Sequence, residues 1–177
     1  MKKNVLICGL IGGVIVTCLM LVTLITVDRT GNFDHGMVYG YAGMILAFSL
    51  IFVGVKNFRD KYNGGVVSFG KALSIGLLIT LVASTFYVIT WMIEYHYFFP
   101  DFMDKYNACM ITKYKAAGMS ATELAGKTSQ LASMTEMYKN PFFRILMTYA
   151  EIVPVGIVVS LIAAAILRRK RKNVGAG

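Results

Sequence analysis

The sequence predicts an all-α polytopic membrane protein, with four transmembrane helices and an extracytoplasmic helical hairpin between the third and the fourth. Three observations predict it. Of 177 residues, 56% are hydrophobic and only 15% are charged, well below the quarter usual in soluble domains. Mean hydropathy is +0.62, so the chain must place much of its surface against lipid. Four apolar runs of about 19 residues or more each suffice to cross a hydrocarbon core of about 30 Å. An open sheet leaves backbone groups unsatisfied in lipid, so the runs must be helices. One membrane domain spanning 1–177 is expected.

The first run covers about 4–27, after Lys2 and Lys3. It is longer than a signal-peptide core and no small-x-small cleavage site follows, so a retained helix is expected. It holds Cys8 and Cys18. Cys109 falls in the long loop, on the opposite membrane face from Cys8, so those two cannot pair within one chain. The second run covers about 37–55. Gly9-x-x-x-Gly13 and Gly36-x-x-x-Gly40 permit close helix packing, expected within the chain rather than between copies. Asn63-Gly64 marks a turn before the third run, about 72–95. Trp91, Tyr95, Tyr97, Phe98 and Phe99 are expected to form an aromatic belt at its outer end.

The hairpin is expected over about 101–139. Met103, Tyr106, Met110, Tyr114 and Ala117 recur every three or four residues, as on one helix face. Asp101 and Lys105 can pair one turn apart, and Gly118 suits a helix C-terminus. Ser120 and Glu123 have the spacing of a capping box, flanked by Met119 and Leu124 as a staple. Asn140-Pro141 then opens the fourth run, about 142–167.

Net charge is +9. The basic residues cluster beside apolar runs, which argues for membrane orientation rather than nucleic-acid binding. Eleven lie on the face holding Lys2, Lys3, Lys56, Arg59, Lys61, Lys71 and the run Arg168–Lys172; seven, more dispersed, lie on the other. The denser face should be cytoplasmic, with both termini inside. The terminal run can also bind anionic headgroups.

Glu151 is the leading candidate for chemistry. It sits nine residues into the fourth run, about 13 Å along the helix, where an ionisable group is costly. It is expected to face the bundle and bond to Tyr87, with Ser84 and Thr90 at matching depth. Pro154 removes a backbone hydrogen bond and should kink the helix nearby. Glu94 is expected to be a solvated residue at the aromatic belt, with His96 on another face of the same helix. Convergence of Asp34, His35, Glu94 and His96 on a metal has no support in their spacing. No phosphate-binding loop, metalloprotease motif, nucleophile elbow or dinucleotide fingerprint occurs. No cofactor, metal or catalytic residue is therefore expected.

Three stretches carry a family resemblance: AFSLIFVGVKNFRDKYNGGVVSFGKAL (47–73), YVITWMIEYHYFFPDFMDKY (87–106) and MYKNPFFRILMTYAEIVPVG (137–156). They resemble a bacterial integral-membrane family, domain of unknown function 4199. The resemblance implies a small inner-membrane protein of about four helices and carries no activity. The leading functional expectation is a non-enzymatic accessory or assembly protein, partnered by the bilayer and by its own copies or another membrane protein. The alternatives are a proton- or ion-coupled component working through Glu151, and a membrane enzyme with an outer-face site at Glu94 and His96.

Overall fold

The four apolar runs are helical, and most run a few residues past the expected ends. The computed structural model describes residues 1–31, 33 and 36–169. In chain order the elements are α1 (Lys2–Thr30), α2 (Gly36–Phe48), α3 (Leu50–Asn57), a π-helical turn (Phe58–Tyr62), α4 (Phe69–Tyr97), α5 (Phe102–Ala116), α6 (Ala121–Lys139) and α7 (Pro141–Leu167). The four helices long and apolar enough to cross a membrane are α1, α4, α7 and the continuous segment Gly36–Tyr62.

The second span departs most from expectation, because it stays helical to Tyr62. Phe58 is buried and continues the inward stripe of Ile51 and Val55. The charge that should have ended the helix is met locally. Arg59 Nε pairs with Asp60 Oδ1 at 2.6 Å, and Arg59 Nη1 donates to the Leu167 carbonyl at 3.4 Å. At Ser49 the hydroxyl donates back to the Leu46 carbonyl at 2.6 Å, a bond that competes with the helix ladder.

The centre of the bundle is α4, which packs on α1, α3 and α7. Small residues make both main seams. A Cβ at Gly9 would lie 2.6 Å from Val82 Cβ, and one at Gly13 would lie 2.8 Å from Phe86 Cβ. That glycine pair is an intramolecular seam between α1 and α4. On the other side Gly76 faces Ser160, and Gly156 faces Thr80 and Phe48. The Thr80 and Ser160 hydroxyls lie 3.3 Å apart. Ser160 already donates to the Gly156 carbonyl, so Thr80 is the donor between the helices. Met44, Phe48, Ile51, Ile75, Ile79 and Ile152 fill the space between these seams.

One end of the bundle is basic. There Asn4 Nδ2 donates to the Gly54 carbonyl at 2.7 Å. Val67 and Arg169 exchange backbone hydrogen bonds of 3.0 and 2.8 Å, tying the end of α7 to the loop before α4. Ser68 caps α4 by accepting from the Lys71 amide. Lys170, Arg171 and Lys172 of the terminal basic run lie outside the described residues.

The opposite end carries α5 and α6, which fold back on one another. Gly118, at φ 74°, turns the chain, a left-handed conformation that costs glycine little. The Ser120 hydroxyl accepts from the Glu123 amide while Glu123 Oε2 accepts from the Ser120 amide, completing the capping box. Asn107 Nδ2 donates to Thr135 Oγ1 at 2.8 Å across the two helices. Lys105 bonds Asp101 at 2.8 Å and Asp28 at 2.5 Å, fixing α5 to the end of α1. Both partners push the lysine pKa up. Met103 anchors the base, whereas α6 has no buried residue.

Candidate functional site

The buried charged groups of the bundle, Glu94 and Arg144, lie toward the end that carries α5 and α6, and not around the residue that depth alone singles out. The inward stripe of α7 runs Arg144, Thr148, Ile152, Gly156, Ser160. Four-residue steps keep these positions close to one helix face. Glu151 is one residue, about 100°, from Ile152, and its side chain is exposed on the outside of the bundle. It makes no hydrogen bond to any described residue. The expectation that Glu151 faces inward and bonds Tyr87 is therefore corrected. The residue of α7 that reaches α4 here is Tyr149, whose hydroxyl donates to Thr85 Oγ1 at 2.9 Å.

Tyr87 and Ser84 are both buried, and Ser84 Oγ has no hydrogen-bond partner. Thr90 is half-buried and donates to the Phe86 carbonyl of its own helix at 2.9 Å. Pro154 is exposed, and α7 continues helical through it to Leu167. Tyr87 still lies within electrostatic reach of Glu151, and also of Glu94, Tyr138 and Tyr41.

Glu94 reverses its expected role. It is 3% exposed, and neither carboxylate oxygen has a hydrogen-bond partner. Ala83, Tyr87, Trp91 and Glu94 fall on the buried face of α4, so its rotation carries Glu94 inward at the very level where the helix was expected to meet water. Trp91 is likewise buried rather than facing outward. Its indole Nε1 donates to Tyr138 Oη at 2.8 Å, docking α6 on α4. Tyr97 and Phe98 do face outward. His96 is exposed on another face, its ring edge-on to Tyr97. Glu94 and His96 thus share a helix but not a surface.

Sequence reasoning missed Arg144. By sequence it is one more positive charge on the outer face. It is 8% exposed, and its Nε has no hydrogen-bond partner. Its guanidinium lies 3.9 Å from the Tyr95 ring centre and 5.7 Å from that of Tyr138. Cation–π attraction strengthens as such a group loses water. Tyr95 and Tyr138 meet edge to face at 5.5 Å, and Trp91 contacts Phe102 at 5.3 Å. Burial pushes the Tyr138 phenol up, against the opposing pull of its Trp91 hydrogen bond and the Arg144 charge. The signal was available: Arg144 stands four residues before Thr148 and eight before Ile152, in step with the small residues that follow.

Among the described residues no three His, Cys, Asp or Glu side chains are grouped to hold a metal ion. Asp34 and His35 lie outside the described residues. Cys8, Cys18 and Cys109 are free thiols.

Four spanning helices closed by interdigitating small residues, with a polar cluster at one end, define a polytopic helical membrane protein. The family model described as "Protein of unknown function (DUF4199)" matches residues 7–169, and the chain belongs to that family. No curated protein and no solved structure matches the chain.

Proposed function

We propose that this protein is a non-enzymatic assembly subunit of the bacterial inner membrane, with both termini cytoplasmic, that receives a helix of another membrane protein along the exposed face of α7. The observation that carries the reading is Glu151, exposed and without a hydrogen bond to any described residue, ten residues into a spanning helix. A carboxyl group facing hydrocarbon at about 15 Å along the helix is costly. A neighbouring helix with a hydroxyl, amide or basic donor at that depth removes the cost. Met147, Val158 and Ile162 extend the exposed face along the same helix. The inside location of the termini rests on the eleven basic residues of that face and the positive-inside rule.

The test is assembly size. Extracted from its native membrane in a mild detergent, the wild type should migrate as a complex larger than one chain. Glu151→Leu should shift most of it to the monomer, and Glu151→Gln, which keeps hydrogen bonding, should retain part of the complex. A wild type that is monomeric throughout, or a Glu151→Leu variant that assembles normally, refutes the reading.

A second reading, proton or ion passage, draws on Tyr87 lying within electrostatic reach of both Glu94 and Glu151. Proton flux into liposomes holding the purified chain should then fall in Glu94→Gln and Glu151→Gln. Absence of flux in the wild type ends that reading.

A further inference from the structure

A pocket of about 440 Å³ opens where α4, the end of α6 and the start of α7 meet. Its volume is within the range of small-ligand sites, about 300–1,000 Å³. Its walls divide by chemistry. His96, Lys139 and Arg144 supply cationic or hydrogen-bonding nitrogen, and Tyr97 a phenol. Met92, Ile93 and Pro141 supply apolar surface. The first turn of α7 bears no acidic side chain, so no carboxylate of its own offsets the positive end of that helix dipole.

We infer that this pocket binds the phosphate group of an anionic membrane lipid, with the acyl chains leaving along Met92 and Ile93. Two independent observations converge on it. The first is the gathering of three basic side chains in one recess at the end of the spans, the level at which lipid headgroups lie. The second is Arg144 itself. It is more than nine-tenths buried, it lines the recess, and its Nε lacks a hydrogen-bond partner among the described residues. The guanidinium meets the Tyr95 and Tyr138 rings, whose π faces attract its charge without satisfying its N–H groups as an oxygen acceptor does. No described carboxylate pairs with it. A planar guanidinium left in this state is matched by a phosphate, which accepts two parallel hydrogen bonds from it. Lys139 is paired with Glu136 at 2.6 Å on the exposed rim, so it contributes there as a partly neutralised charge. The apolar wall favours a lipid phosphate over a free one, because free phosphate gains nothing from Met92 and Ile93.

The experiment uses the purified full chain, stripped of lipid in a neutral detergent, with binding read by native mass spectrometry. Phosphatidic acid should bind about tenfold or more tightly than diacylglycerol of the same chains, the difference expected of charge-assisted hydrogen bonds. Arg144→Gln should erase most of that preference, and Arg144→Lys, a point charge without the fork, should restore part of it. His96→Gln with Lys139→Gln changes exposed side chains only, and should weaken phosphatidic acid about fivefold without touching the buried arginine. Equal binding of the two lipids overturns the inference. So does an unchanged preference in the His96/Lys139 double variant or in a folded Arg144→Gln. Inorganic phosphate that binds as tightly as phosphatidic acid also overturns it, by showing a site for the free ion.

Discussion

Substitution of Gly156 by alanine should loosen the bundle at its α4–α7 seam. The added Cβ would collide with the Thr80 methyl, lie 2.7 Å from Thr80 Oγ1 and lie 3.0 Å from Phe48 Cζ. Thr80 and Phe48 are themselves buried, at 2% and 1% exposure, so neither can swing aside. Overpacking of this kind costs about 1–3 kcal/mol, and contacts this short belong near the upper end. Alanine gains about 1 kcal/mol over glycine in a helix interior. The net loss is then about 2 kcal/mol, close to a thirtyfold shift in the folding equilibrium. Gly126 is the control. It lies within α6 with open space where its Cβ would be, so Gly126→Ala should stabilise by about 0.5–1 kcal/mol. Thr80→Ala in the Gly156→Ala background should recover more than half of the loss. The Thr80–Ser160 bond that it removes is worth only about 0.6 kcal/mol in a membrane bundle. Reversible unfolding of the purified protein in mixed micelles measures all four chains. A Gly156→Ala variant as stable as wild type, or damage from Thr80→Ala that simply adds to it, refutes the packing argument.

Further outcomes follow from the opposite end of the molecule. Trp91→Phe keeps an aromatic ring but removes the donor to Tyr138 and part of a buried side chain, and should cost about 1–3 kcal/mol; faster amide exchange in 131–139, with α1 unchanged, is the readout. Acidification should fray the start of α6. The Ser120 hydroxyl and amide hold the Glu123 carboxyl below its ordinary value of 4.5. A depressed pKa means that the cap is in place above about pH 4.5 and is lost as pH falls through the lowered value. Amide exchange at 121–124 followed through that window tests it, and Glu123→Gln should flatten the dependence. Arg59→Ala removes a donor to the Leu167 carbonyl and should speed exchange over the last turn of α7, with α5 unaffected.

The spans were legible in the sequence because hydropathy reports depth, and lipid admits only helices at that depth. The capping box and Gly118 were legible because each is a local hydrogen-bond device. Rotation about the helix axis was not. Glu151 and Glu94 were ranked by how far they lie from water along the chain, and that coordinate says nothing about which way a side chain points. The facing of α7 is set by Gly156 and Ser160 meeting Thr80 and Gly76, contacts between segments about 80 residues apart. The stripe Arg144, Thr148, Ile152, Gly156, Ser160 already contained this information, one step out of phase with Glu151. The aromatic belt failed in part for the same reason. Trp91 shares the amphipathic character of Tyr97 but lies on the face that α6 covers.

The central position of α4 also sets an order of assembly. As the chain leaves the ribosome, α1 enters the bilayer with Gly9 and Gly13 facing a helix that is not yet made. Its seam stays open through the synthesis of α2 and α3 and closes only when Val82 and Phe86 arrive. The second seam waits for Gly156, 70 residues after Phe86. During that interval an unfinished molecule presents bare backbone grooves to the bilayer, and anything that holds α1 in place until α4 arrives would speed the making of this protein without appearing in its finished form.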